Sequence, residues 1–288
     1  MKLKRIYLDF NVMIDIFNEE SKELEESLHK LQEKKYILVY SPAHMEELAI
    51  SEKRYSQNEE RIQEDLEKIS KLTQKNILLP HHGEAHYKIG VYHKYENPII
   101  CYKRVVTDFY NINNRVEKVS EEFITNNKEN NHYGNNPKEI NNILPQDIIS
   151  EILDKKHFRD KGLFIRNYNN KIEIWKMESS KETGIDIKVN PLKKYNFSFN
   201  DFKKNYIQIS TIIELLTNLL ESSGYHAESI KRSRSRLHDV THIIYASYTD
   251  IFITNDKKLQ KKAKAIYAYL KIPTSVMSSK DFLDKYKK

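Results

Sequence analysis

The sequence predicts an α/β fold: a mainly parallel central sheet flanked by helices and interrupted by a large, mostly helical insertion. Three observations predict it. Over residues 1–80, short apolar runs of strand length alternate with amphipathic helical patterns. The same alternation resumes after about residue 236. Glycine and proline are scarce, six and seven in 288 residues, which argues against a β-rich fold built on tight turns.

Each element follows from its local pattern. KRIYL (4–8) reads as a buried strand ending at Asp9, and VMIDIF then enters a helix. Residues 21–34 place Leu24, Leu28 and Leu31 on one helical face, with Ser21 as a candidate N-cap. YILVY (36–40) is a second buried strand. Pro42 opens the next helix, which carries Met45, Glu46, Glu47, Leu48 and Ile50. A charged helix runs to about Leu72, and NILLP (76–80) is a third strand. In the middle, residues 99–125 read as a helix, 126–142 as an Asn-rich loop or disordered tract, and 145–156 as a helix. LFIRNYNNKIEIW (163–175) reads as a hairpin around Asn169-Asn170, and 199–222 as one apolar helix. Residues 239–249 are helical, IFIT (251–254) is a strand, 256–270 a Lys-rich helix and IPTSV (272–276) a last strand. The α/β domain is therefore split into 1–80 and 236–288, with 81–235 inserted as a mostly helical region.

Hydrophobic residues make up 39% and charged residues 31%, the balance of a soluble, heavily charged chain. The net charge of +7 suits polyanionic partners, nucleic acid above all, or simply solubility. One cysteine, Cys101, excludes an intramolecular disulfide and suits a reducing compartment. MKLKRIYLDF reaches Asp9 before any apolar leader develops, and no apolar run has transmembrane length, so the expected location is cytoplasmic and off the membrane.

The acids carry the functional signal. In open parallel sheets ligands bind beyond the C-terminal strand ends. Asp9 ends the first strand and Asp256 follows IFIT, so both belong on that edge. Glu46 and Glu47 lie on the helix after the second strand, and Asp239 starts the helix leading into IFIT. Carboxylates from these places can converge on hard divalent cations, Mg²⁺ or Mn²⁺, one ion or two. Such ions stabilise charge on a phosphodiester in transit. Asp250 is excluded. Eleven residues beyond Asp239 on a helix, it lies roughly 16 Å further along, whereas paired catalytic ions sit about 4 Å apart. Asp15 reads as a surface residue. As caps, Asp239 and Asp256 also have a purely structural reading.

IYLDFNVMID, SPAHMEEL, HDVTHIIYA and FITND, in this order and placed so against the strands, resemble the PIN-domain nucleases. The resemblance covers roughly 1–80 and 236–278. It implies a PIN-like α/β/α sandwich and metal-dependent endonucleolytic hydrolysis of RNA, leaving a 3′-hydroxyl and a 5′-phosphate. The family's acids correspond to Asp9, Glu47, Asp239 and Asp256, as metal ligands and catalytic residues, with Glu46 the competitor of Glu47. Asn11 matches a polar position that supports the first acid; Thr254 and His242 stand as further supporting residues. Compact family members lack anything like 81–235. The family's habits and the insertion suggest a toxin or antiphage effector held by a regulatory partner or a homo-oligomeric state. A DNA nuclease on the same fold, or a catalytically degenerate nucleic-acid- or protein-binding module, are the alternatives.

Other constellations are weaker. His238 and His242 have the i, i+4 spacing of zinc ligands, but His242 falls on an apolar face and reads as a core or supporting histidine. His82 and His86 could chelate only if helical. There is no P-loop, G-x-S-x-G or dinucleotide fingerprint. Lys231, Arg232, Arg234 and Arg236 form a basic run just before Asp239 that would steer single-stranded or tRNA-like RNA, or DNA, toward the acids, or a solvated linker. The lysines of 257–264 read as a solvated helix face.

Overall fold

The computed structural model describes residues 3–55, 59–80, 90–107, 137–154, 161–183, 191–193, 197–227 and 235–286. In the first half β1 (Lys4–Leu8) leads to α1 (Phe10–Phe17) and α2 (Lys22–Glu33). β2 (Tyr36–Val39) leads to α3 (Pro42–Tyr55), α4 (Glu59–Thr73) and β3 (Asn76–Pro80). β4 (Val91–Tyr95) and a helix over 98–107, α5, follow. The middle supplies α6 (Pro137–Asn141), α7 (Ile148–Asp154), α8 (Lys161–Thr183), α9 (Phe199–Phe202) and α10 (Tyr206–Ser222). α11 (Ser235–Ala246), β5 (Ile251–Ile253), α12 (Lys257–Leu270), β6 (Ser275–Met277) and α13 (Ser279–Tyr286) complete the chain.

Four strands form a parallel sheet in the order β2-β1-β5-β6, so the two halves of the chain meet at the β1–β5 pair. The strand period of two sends alternate side chains to opposite faces. Tyr7, Val39, Phe252 and Val276 enter one core, with α7, α8, α10, α11 and α12. Ile6, Leu8, Leu38, Ile251, Ile253 and Met277 enter the other, with α1, α2, α4 and α13. Helices thus cover both faces, as buried parallel sheets require.

Four sequence expectations are corrected. Residues 163–175 are helical: Phe164, Tyr168 and Ile172 recur at the helical period and are buried in the α10 core, while Asn169 exchanges hydrogen bonds with the Leu192 backbone (2.8 and 3.2 Å) instead of turning a hairpin. The apolar helix of 199–222 is broken, because the Asn205 side chain accepts the Gln208 N–H (3.1 Å) and starts α10 afresh. The insertion boundary at 80/81 cuts through an antiparallel pair, β3 with β4, which the Tyr40–Ile77 bridge ties to the end of β2. The lysines of α12 are not a uniformly solvated face. Lys262 is fully buried against Glu221 of α10 (2.7 Å), and Lys258 donates to the Ala227 carbonyl (2.7 Å). Removing one partner of such a buried pair costs about 3–5 kcal/mol, against less than about 1 for an exposed pair. The described part of 81–235 is therefore built into the same core as the sheet rather than hung from it.

Among the described residues no helix is long and apolar enough to cross a membrane.

Candidate metal centre

The C-terminal edge of β1 and β5 builds the site. Leu8 and Ile253 are register partners, so the residues that follow them meet. Asp9 is the N-cap of α1: Phe10 N–H donates to its Oδ1 (2.9 Å) and the Thr254 hydroxyl to its Oδ2 (2.9 Å). It is 3% exposed. Thr254 Oγ1 also accepts the Asp256 N–H (3.2 Å), so one hydroxyl aligns both acids. Asp256 caps α12, with Oδ1 accepting the Lys258 and Leu259 N–H groups (2.7 and 2.9 Å). The capping reading of Asp256 holds, and its exposed carboxylate is within electrostatic reach of Asp239.

The remaining acids come from α3 and α11. Glu47 Oε2 lies 3.2 Å from His242 Nε2, and Asp9 Oδ1 lies 4.0 Å from the same nitrogen. One ligand atom each of Asp9, Glu47 and His242 fall within 4.8 Å of one another. Glu46 points to a different histidine, His238 (3.7 Å), so helix phase separates the two glutamates. Asp239 sits inside α11, which begins at Ser235; it neither starts nor caps that helix. It is half-buried and outside the group of three, yet it feels the charges of Asp9, Asp256 and His242. Asn11 lies exposed in the first turn of α1.

The electrostatics follow from crowding. Burial, with Glu47 adding and His242 opposing, pushes the Asp9 carboxyl up to about 6. Burial pushes Asp239 up to about 7, Lys262 opposing and Asp9 and Asp256 adding. Burial alone would lower His242, but Glu47, Asp9 and Asp239 outweigh it and raise the imidazole to about 9. Burial would likewise raise Glu47, and the His242 charge and hydrogen bond hold it down instead. Without a metal ion, His242 is thus the counter-charge of the acids.

Sequence reasoning missed the residues that orient His242. Tyr7 Oη lies 2.8 Å from His242 Nδ1 and 2.7 Å from Ser41 Oγ, all buried. His44 Nδ1 accepts the Ser41 N–H (3.1 Å), which leaves His44 Nε2–H to donate to the Leu8 carbonyl (2.9 Å). Burial and the neighbouring His242 charge push His44 down to about 3, so it is neutral and structural. A hydroxyl in the apolar run IYL, and a histidine three residues after Ser41 at a helix start, were the available signals.

Elsewhere, the excluded Asp250 lies at the opposite edge of the sheet, accepting the Arg5 N–H (2.7 Å). Asp15 is half-buried, accepting from Asn255 at 3.4 Å. Lys231, Arg232 and Arg234 lie outside the described residues, as do His82 and His86; Arg236 stands in the first turn of α11.

The chain was compared with protein-family models, curated proteins and solved structures, and none of the three comparisons finds a match.

Proposed function

We propose that this chain is a PIN-like, metal-dependent endoribonuclease. The observation that carries the reading is the meeting of Asp9, Glu47 and His242 at the C-terminal edge of a parallel sheet, with Asp239 and Asp256 alongside. A divalent cation fits this donor set. Asp9 is buried beside a second carboxylate and is driven toward its protonated form, a cost that a bound cation would offset. Asp9 and Glu47 would hold Mg²⁺ or Mn²⁺, with Asp239 and Asp256 completing the site for one ion or two. Held by these residues, such a metal would supply Lewis-acid stabilisation of charge developing on a phosphodiester.

The chain's own groups have separate tasks. Thr254 and the Phe10 N–H fix the Asp9 carboxylate by engaging one lone pair on each oxygen. Asp256 and Asp239 are less buried than Asp9, so an approaching strand of nucleic acid would meet them before it meets Asp9. The net charge of +7 favours a polyanion over a neutral substrate. An unstacked RNA strand or a tRNA loop can reach a recessed site that a duplex cannot. A toxin or antiphage setting, restrained by a protein partner or an assembly state, accords with a large insertion built into the catalytic core.

The test is cleavage of labelled RNA and DNA in Mg²⁺ or Mn²⁺ by the wild type, Asp9→Asn and Asp239→Asn. RNA cleavage by the wild type alone is expected. Cleavage of DNA only would favour a DNA nuclease on this fold, and binding without cleavage in either metal would favour a binding module.

A further inference from the structure

The acids alone describe an oxygen-only site, of the kind that takes Mg²⁺. The third member of the inner group is an imidazole, and its setting is that of a ligand. We infer that His242 Nε2 is a direct metal ligand, so that this is a mixed nitrogen–oxygen centre that selects Mn²⁺ or a related first-row transition ion over Mg²⁺. The inference rests on the metal-centre reading above and adds to it the class of metal.

Three observations carry it. The first is spacing. Metal–ligand bonds of about 2.1 Å put donor atoms about 3.0 Å apart when adjacent in an octahedron and about 4.2 Å apart when opposite. His242 Nε2 stands 3.2 Å from Glu47 Oε2 and 4.0 Å from Asp9 Oδ1, both within that span. The second is the far side of the ring. Metal-bound histidines characteristically give their other N–H to a fixed oxygen partner. Here Nδ1 meets Tyr7 Oη at 2.8 Å, and Tyr7 Oη in turn has Ser41 Oγ at 2.7 Å to donate to. With a metal ion bound, that chain would keep the proton on Nδ1 and leave the Nε2 lone pair for the metal, in place of the Nε2–H that Glu47 accepts without one. The third is the rest of the donor inventory. His44, edge-to-face with the His242 ring at 5.0 Å, is already committed at both nitrogens, to Ser41 and Leu8. His238 faces Glu46 instead. Among the described residues, His242 is therefore the nitrogen this site offers. Imidazole suits transition ions, whereas Mg²⁺ retains oxygen ligands and water.

The alternative for the same geometry is that His242 remains a protonated counter-ion and the metal sees only oxygen. Pulsed electron paramagnetic resonance of the full chain loaded with Mn²⁺ separates the two. Expected is a ¹⁴N coupling on Mn²⁺ that becomes a ¹⁵N coupling when the wild-type protein is grown with ¹⁵N-histidine. That readout needs no substitution and no activity. The coupling should persist in His238→Gln and vanish in His242→Gln. Tyr7→Phe, which keeps the ring and removes the oxygen, should weaken Mn²⁺ binding by roughly 10–100-fold. Wild-type Mn²⁺ affinity should exceed Mg²⁺ affinity by at least about tenfold, and His242→Gln should shrink that ratio. Bound Mn²⁺ with no histidine nitrogen coupling would overturn the inference and leave an all-oxygen metal centre standing. Failure of Mn²⁺ and Mg²⁺ to bind the wild type at all would overturn the metal-centre reading itself.

Discussion

The pair β1 and β5 carries an aspartate at each end, and the two sit in opposite environments. At the N-terminal edge Asp250 is exposed, accepts the Arg5 N–H and has the attraction of the Arg5 guanidinium nearby. Its own N–H and carbonyl bind Arg5 and Ser275, so it ties three strands together. At the C-terminal edge Asp9 is 3% exposed and faces Glu47, with Asp239 in electrostatic reach. A solvated carboxylate beside a cation is a structural joint of little cost. A buried carboxylate among other carboxylates is expensive unless a cation is supplied. The difference marks the C-terminal edge as the end of the sheet where a bound cation would relieve crowded charge.

Substitutions at the two ends sharpen that contrast. The largest expected effect is that of Asp9→Asn, which removes a charged inner donor. It should reduce metal-dependent cleavage by more than about 100-fold, since even the outer partners of metal ligands contribute 10–100-fold. Glu47→Gln should approach the same loss in a cleavage assay, whereas Glu46→Gln should cost less than about tenfold, because Glu46 faces His238 rather than the inner group. Comparable losses for both glutamates would erase the distinction that helix phase draws between them.

A smaller effect follows from protonation. Asp239 (about 7) and His242 (about 9) bind protons more tightly folded than unfolded. For both, the stabilisation is fully present below the unfolded value and is lost as pH rises through the folded one. For His242 that window runs from 6.5 to about 9. His44, pushed down to about 3, acts in the opposite sense only below 6.5. With chelator present, the melting temperature should therefore fall between pH 6.5 and 9, by at least about 2 °C, and added Mn²⁺ should reduce the fall. A flat or rising profile would contradict the assignment of His242 as the counter-charge. The smallest effect belongs to Asp250→Asn. The amide oxygen can still accept the Arg5 N–H, so stability should drop by less than about 1 kcal/mol and cleavage should be unchanged.

Much of this contrast was legible in the sequence, because it depends on short-range rules. Strand direction placed Asp9 and Asp256 on one edge and helix rise removed Asp250, whereas the choice of Glu47 over Glu46 came from the resemblance to the PIN-domain motif. What escaped detection depends on partners far apart in the chain. Tyr7 and His242 are 235 positions apart, and nothing local marks either as the other's hydrogen-bond partner. Lys262 reads as one more lysine on a basic helix until Glu221 of α10 meets it in the core. In residues 163–175 two adjacent asparagines suggested a turn, but the buried spacing of Phe164, Tyr168 and Ile172 is helical, and burial outweighed the weak local signal. The PIN-like reading itself still rests on the four motifs and on the geometry of the acid edge.

The most direct measurement is a time course of cleavage of a labelled single-stranded RNA in Mn²⁺, run for the wild type, Asp9→Asn and Asp250→Asn, with a chelator control. The metal-centre reading predicts cleavage by the wild type and Asp250→Asn, loss of cleavage in Asp9→Asn, and none for any of the three after chelation. Equal cleavage by Asp9→Asn and the wild type, or cleavage that survives chelation, would contradict it.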